Sequence, residues 1–227
     1  MTLAWGIQRL LRAVGKKTGW MINLVVGLLL AGTTGLAHAH PHAFIDVQST
    51  LRFSSAGMVM AIEEEWFFDE LYTGFVIEDL ANGKKVTPQV VNGFGARVIE
   101  NLQPFDYFTT LTAGGKKVKL GTVTEYRSEM VGKRLRLHFT IPLPNPVDPV
   151  AAPTTLSVYD PTYFIEMRYT DAKSIRLRDA PAVCQAKLER AKPSESTIAQ
   201  AFALDRNATP DETLGRLFAD KVALACK

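Results

Sequence analysis

From Ala43 to Ser54 the chain reads AFIDVQSTLRFS, with apolar and polar residues in alternation. Ile45, Val47, Leu51 and Phe53 share one parity, and Asp46, Gln48, Thr50 and Arg52 share the other. That pattern predicts a strand with one buried face. SSAG then supplies a turn, and MVMAIEEEWFF returns as the second strand of a hairpin. Its apolar parity is Met58, Met60, Ile62, Trp66 and Phe68, so Glu64 falls among apolar residues. A carboxylate there needs hydrogen bonds, a charged partner or a sheet edge, because burying it bare is costly. A structural, hydrogen-bonded acid is the expectation, ahead of a proton donor. Glu63 and Glu65 fall outside that pattern and predict a solvated strand face.

The period then changes. DELYTGFVIEDL places Leu71, Phe75 and Leu80 near helical spacing, with Asp69 able to cap the helix. Thr87-Pro88 fits a second helix start, and Val90, Val91, Phe94, Val98 and Leu102 continue a stripe over residues 88–101. Gly93 and Gly95 weaken that helix by about 1 kcal/mol each. DYFTTLTA and KKVKLG around Gly114-Gly115 predict one hairpin, and TVTEYRSEM and KRLRLHFTIPL around Gly132 another. PLPNPVDPVAAP reads as a stiff connection. TTLSVYD, YFIEMRYT and SIRLRD are further strands, and VALAC a last one. Residues 195–204 predict a helix, and another opens at Thr209, where Glu212 can complete a capping box. The sum is an α+β fold weighted towards β, with antiparallel sheets, a two-helix insertion over residues 69–102 and C-terminal helices.

Ahead of this pattern lies a different composition. Arg9, Arg12, Lys16 and Lys17 precede an apolar run over residues 21–31 broken only by Asn23, and no acid occurs before Asp46. Ala37-His38-Ala39 offers the small-x-small site of a signal peptidase, and Gly35-Leu36-Ala37 offers a second. Residues 1–39 therefore read as a cleaved leader and 40–227 as one exported, periplasmic domain with no stable membrane span once the leader is gone.

Cleavage changes the charge. The chain has 26 basic and 23 acidic side chains, and four of the bases lie in the leader, which leaves 22 against 23. The lasting cationic surface that nucleic acid requires is not expected. Cys184 and Cys226 are the only cysteines; in an exported protein such a pair predicts a disulfide.

The candidate chemistry gathers in LAHAHPHAFIDV, which holds three of the four histidines. In an extended segment His40, His42 and Asp46 project to one side. Two imidazoles and a carboxylate suit a divalent transition metal: nickel, cobalt, copper or zinc. A start at His38 would allow a planar chelate through His40. A start at His40 blocks it, because Pro41 has no amide proton, and leaves an amine-plus-imidazole brace completed by His42 or another histidine. His138 shares its parity with Arg134 and Arg136, whose charges oppose a bound cation, so a surface histidine is expected there. Asp160 before Pro161 ends a strand in a turn, and Tyr159, Tyr163 and Phe164 read as core.

HPHAFID, WFFDELY, YFTTL, VYDPTYFIEM and ALDRNATPDETLGRLFADKVALAC together resemble a bacterial family of exported proteins of unknown function. The family is often labelled the periplasmic component-like protein of an uncharacterised ABC-type transport system. The resemblance covers residues 40–226 and implies an association with nickel/cobalt-type permeases. It draws attention to His40, His42 and Asp46, to Trp66, Phe68, Asp69 and Tyr72, and to Tyr159, Asp160, Pro161, Tyr163 and Glu166, without assigning a role to any. Members often carry an acidic, calcium-loop-like stretch after the first helix. EDLANGKKVTPQ stands there in this chain, so calcium is not expected.

Three functions follow as expectations. The first is a non-enzymatic accessory of a transition-metal transport system, with an inner-membrane metal permease as partner. The second is a histidine-brace copper enzyme, or an enzyme using Glu64 and Asp69 as a carboxylate pair. The chain offers no recognisable nucleophile–histidine–acid set, so a non-enzyme is preferred. The third is a metal-free module that docks on a permease.

Overall fold

The computed structural model describes residues 43–83, 85–203 and 213–227, all within one compact unit, Ala39–Lys227. His38, His40, His42 and the Thr209/Glu212 capping box lie outside the described residues. Eleven strands and four helices are described, the α+β, β-rich architecture that the pattern predicts.

One sheet contains β1 (Ala43–Phe53), β2 (Val59–Phe68), β5 (Glu125–Val131), β6 (Arg134–Val147), β8 (Ile165–Tyr169) and β9 (Ile175–Arg178). Its order is β5-β6-β2-β1-β8, with β9 also pairing β1. The second sheet contains β3 (Thr109–Ala113), β4 (Lys116–Lys117), β7 (Thr154–Val158), β10 (Gln185–Glu189) and β11 (Lys221–Ala225), in the order β10-β11-β7-β3-β4. Antiparallel pairing dominates, but β8 and β9 run parallel to β1, one beyond the other along the same edge. The first sheet is therefore mixed, a feature no local pattern encodes.

Alternation buries Ile45, Val47, Leu51 and Phe53 of β1 and Leu135, Leu137, Phe139 and Ile141 of β6. Leu111, Leu156, Val158, Val222 and Leu224 of the second sheet join them in one core. Trp66 meets Phe139 edge to face, with ring centroids 4.9 Å apart.

β2 departs from its expected parity. Met60 is exposed while Val59 and Ala61 are buried. The cause is a β-bulge: Arg52 pairs with Ala61 but Phe53 pairs with Val59, so Met60 is an extra residue. From Ile62 onward the expected parity holds, and Glu64, Trp66 and Phe68 face inward.

α1 (Glu70–Ala81) follows, capped by the Asp69 side chain, which accepts from the Tyr72 N–H. Leu71 and Phe75 do not form its buried face, as the spacing suggested; they are 73% and 65% exposed. Tyr72, Val76, Ile77 and Leu80 pack against the core instead. α2 (Pro88–Leu102) is capped by Thr87 and buries Val91, Phe94 and Ile99. Its Gly95 sits against β5, where a Cβ would come 2.8 Å from Ser128 Oγ. That hydroxyl accepts from the Gly95 N–H and donates to the Val91 carbonyl. The glycine that weakens the helix is what lets it lie on the sheet.

Three further differences lie in the bounds of elements. The strand predicted from Asp106 starts at Thr109, because Asp106, Tyr107 and Phe108 all have positive φ, between 50° and 55°. KKVKLG forms only a two-residue strand. Conversely, β6 runs on to Val147, through residues expected in the connection. α3 (Glu195–Ala203) and α4 (Leu214–Phe218) precede β11. Cys184 and Cys226 form a disulfide beside the β10–β11 pair, fastening the last strand to its neighbour.

Candidate functional site

The residues that follow the histidine pair are firmly held. The Phe44 N–H donates to Asp69 Oδ2 at 2.9 Å, and the Asp69 N–H donates back to the Phe44 carbonyl at 2.9 Å. Asp69 Oδ1 accepts from the Tyr72 N–H at 2.8 Å. One carboxylate thus caps α1 and staples the start of β1 to it. Burial, and secondarily the Asp69 charge, push the Tyr72 phenol upward.

On the other side, Ala43 and Phe44 pair with Ile165 and Glu166 of β8. Glu166 lies 4.0 Å from Arg168. Burial, the Glu166 charge and a hydrogen bond to Glu166 push the Tyr163 phenol up to about 12. The fold therefore brings Asp69 and Glu166, distant in sequence, to the two flanks of Phe44.

Asp46, two residues further along, has other commitments. Arg134 Nη1 donates to its Oδ2 at 2.7 Å, and Arg168 Nε approaches its Oδ1 at 3.4 Å. Arg134 also donates to the carbonyls of Phe67 and Phe68. Both carboxylate oxygens of Asp46 face guanidinium groups.

This pairing belongs to a wider pattern on the outer face of the first sheet. Glu65 pairs with Arg136 and Arg176, each at 3.2 Å. Glu63 pairs with Arg178 at 2.7 Å and Arg52 at 3.5 Å. The expected solvated face is a lattice of ion pairs, and Glu63 within it is buried. His138 stands between Glu65 and Arg127 in strand register. Its pKa is lowered, chiefly by partial burial, while Glu65 opposes that shift.

The inner face holds a separate polar group. Glu64 is fully buried, and Ser49 Oγ, directly opposite, lies 2.9 and 2.8 Å from its two carboxyl oxygens. Tyr169 Oη lies 2.8 Å from Ser49 Oγ, and Trp66 Nε1 donates to Glu64 Oε2 at 3.4 Å. Burial pushes the Glu64 acid up to about 8, against the lowering effect of the Ser49 and Trp66 hydrogen bonds. Glu64 is buried and hydrogen-bonded, as a carboxylate on an apolar parity requires. Ser49 shares the buried parity of β1, and the hairpin register sets it opposite Glu64; that was the available sign of its role. Tyr169 had no such sign.

Asp160 is buried and organises its turn. Its Oδ1 accepts from the Thr162 N–H and hydroxyl, and its Oδ2 from the Ile165 N–H. The turn rests on α4: the Gly215 N–H donates to the Pro161 carbonyl at 2.8 Å, and Tyr163 stacks on Phe218 at 3.9 Å. Two separate stretches of the resemblance, VYDPTYFIEM and TLGRLF, meet here.

Among the described residues no group of three or more His, Cys, Asp or Glu could hold a metal ion. No helix among them is long and apolar enough to cross a membrane. Fold and site together define an α+β domain of two sheets, with an ionic outer face, a buried acid and a stapled first strand. The chain belongs to a family described as a protein of unknown function, DUF1007, whose model matches residues 25–226. It is similar to an uncharacterized protein of Haemophilus influenzae, 29% identical over 194 residues that cover 83% of this chain and 92% of the relative. It is also similar to an uncharacterized 15.5 kDa protein in the trpE 3' region of Spirochaeta aurantia, 25% identical over 118 residues. That match covers 52% of this chain and 84% of the relative.

Proposed function

We propose that this chain is exported to the periplasm, loses its leader, and serves as a non-enzymatic metal-binding accessory of a transition-metal transport system. His40 and His42 supply the imidazoles, and the ion is nickel, cobalt, copper or zinc. An inner-membrane metal permease is the partner that this role requires. The observation that carries the reading is the anchoring of the strand just after the histidines: Phe44 is bound to Asp69 on one side and paired with Glu166 on the other. A fixed strand limits the volume over which the preceding ligands range, which lowers the entropy lost on binding. Asp46 was the carboxylate suggested by parity, but both of its oxygens face arginines. Glu166 has Arg168 at the longer distance of 4.0 Å and the Tyr163 hydroxyl, which leaves it the more available third ligand.

Mass spectrometry of protein recovered from the periplasm identifies the first residue, and calorimetry with each of the four metals measures affinity. Stoichiometric binding is expected, with a loss of at least about tenfold in His40→Ala/His42→Ala and a smaller loss in Glu166→Gln. Unchanged affinity in the double variant, or processing beyond His42, removes this function.

A further inference from the structure

The outward face of α1 is built unlike a solvated helix surface. Leu71, Gly74, Phe75 and Glu78 follow the spacing of one helical stripe. Leu71 and Phe75 are the two most exposed large apolar side chains on that helix, and a Cβ placed on Gly74 between them would meet nothing within 4 Å. The opposite face of α1 is already spent on the core through Val76, Ile77 and Leu80. The helix is apolar on both sides, a composition suited to an element covered on both sides. Beside the stripe, a groove of about 420 Å³ runs between α1 and α2, with Phe75, Val76, Phe94 and Val98 in its walls and Asp79 and Arg97 among its polar lining.

Charge selects the occupant. α1 carries Glu70, Glu78 and Asp79 and no basic residue, and all three acids are exposed. Among the described residues Glu70 has one ion-pair contact, to Lys133 at 4.0 Å. A second copy of this chain docked through this face would set the three acids of α1 against three more, with one groove cation, Arg97 of α2, from each copy to offset them. An anionic lipid surface would be repelled by the same three groups. A helix with bulky side chains on one face and lysine or arginine at its flanks suits both features: its apolar stripe enters the groove as such helices do, its cations meet the acids, and Gly74 lets the two backbones approach closely.

We propose that the α1–α2 face is the docking site for a cationic amphipathic helix of a partner protein, whose apolar side chains fill the groove beside Phe75 and whose basic residues lie against Glu70, Glu78 and Asp79.

The test uses three synthetic helical peptides with one shared Leu/Phe stripe and flanks of lysine, glutamine or glutamate. Each is titrated by fluorescence anisotropy against the purified protein and its variants at low salt. The lysine-flanked peptide is expected to bind at least about tenfold tighter than the glutamate-flanked one. Phe75→Asp should abolish that binding, and Glu78→Lys/Asp79→Lys should reverse the order of the peptides while keeping the wild-type melting temperature. Equal affinity for all three peptides, or an unchanged order in the charge-reversed variant, overturns the proposal. So does self-association in sedimentation that Phe75→Asp removes, which identifies a second copy as the occupant. Binding to phosphatidylglycerol vesicles that the same variant removes identifies a membrane and also overturns it.

Discussion

Ser49 on β1 and Glu64 on β2 face one another across the centre of the first sheet, and the serine hydroxyl is within 2.9 Å of both carboxyl oxygens. Tyr169 on β8 completes the row from the far side of Ser49. A polar line therefore crosses three adjacent strands inside an otherwise apolar layer. Burial holds the Glu64 acid near 8, against an ordinary value of 4.5.

The raised value makes stability depend on pH in a definite direction. Between 4.5 and about 8 the folded chain keeps a proton on Glu64 that the unfolded chain releases. Stability contributed by the neutral acid is therefore fully present below 4.5 and is lost as pH rises through that window. The cumulative loss is on the order of a few kcal/mol. Glu64→Gln keeps the shape without the ionisation, so urea melts at pH 5, 7 and 9 should show a flatter profile and greater stability than wild type at pH 9. A wild-type profile as flat as that of the variant would mean that Glu64 titrates normally in the fold.

Ser49→Ala tests the row by another route. It removes the main partner of Glu64 and the described partner of the Tyr169 hydroxyl at once. Leaving buried polar groups unsatisfied costs about 1–3 kcal/mol each. The variant should lose more stability than Ser54→Ala, a change at the β1–β2 turn. Equal melting temperatures for the two variants would contradict the importance given to this hydroxyl.

Arg134 joins Asp46 to the Phe67 and Phe68 carbonyls. Its three-way contact depends on a planar fork of donors, which an ammonium cannot reproduce. Arg134→Ala should destabilise the protein by about 1–3 kcal/mol, and Arg134→Lys should recover little of that. Full recovery by lysine in chemical denaturation would reduce the interaction to simple charge pairing.

Gly215 offers a steric prediction. A Cβ there would come 1.8 Å from the Asp160 carbonyl oxygen, a contact only backbone movement could relieve. Gly215→Ala should separate α4 from the 160–163 turn and destabilise by about 3 kcal/mol or more. Loss of Tyr163–Phe218 stacking, followed through aromatic NMR shifts, reports the same event. A crystal structure of the variant with this packing intact would refute it.

The Cys184–Cys226 disulfide joins residues 42 apart. Closing a loop of that length stabilises a chain by roughly 4 kcal/mol in the entropy model. Cys184→Ser/Cys226→Ser should lower the melting temperature, and dithiothreitol should lower that of wild type alone. Equal sensitivity of both proteins to the reductant would exclude the disulfide as the cause.

Local sequence carried much of this fold. Alternation in AFIDVQSTLRFS identified β1 and its buried side chains, and Asp69 and Thr87 marked the starts of the two inserted helices. These features depend on neighbours within a few residues, so the sequence contains them. Glu64 was legible for the same reason: a charge on an apolar parity announces its own conflict. Met60 was not, because a bulge depends on the register of two strands rather than on either alone.

The contents of the outer face show the same boundary. Glu63 and Glu65 lie on β2 and most of their arginines on β6 and β9, and a single strand cannot tell a solvated charge from a paired one. Only the order β5-β6-β2-β1-β8, with β9 also paired to β1, sets Arg134 and Arg168 on Asp46, and Arg136 and Arg176 on Glu65.

By itself the sequence determined most of the strands and the two inserted helices, the inward faces of β1 and β6, and that two imidazoles precede the first strand; each follows from side-chain chemistry at short range. The tertiary structure alone decided that β8 runs parallel beside β1, that Glu166 and Asp69 flank Phe44, and that α1 turns Leu71 and Phe75 outward. Those outcomes depend on contacts between segments far apart in the chain, selected by how two sheets and two helices fill one core.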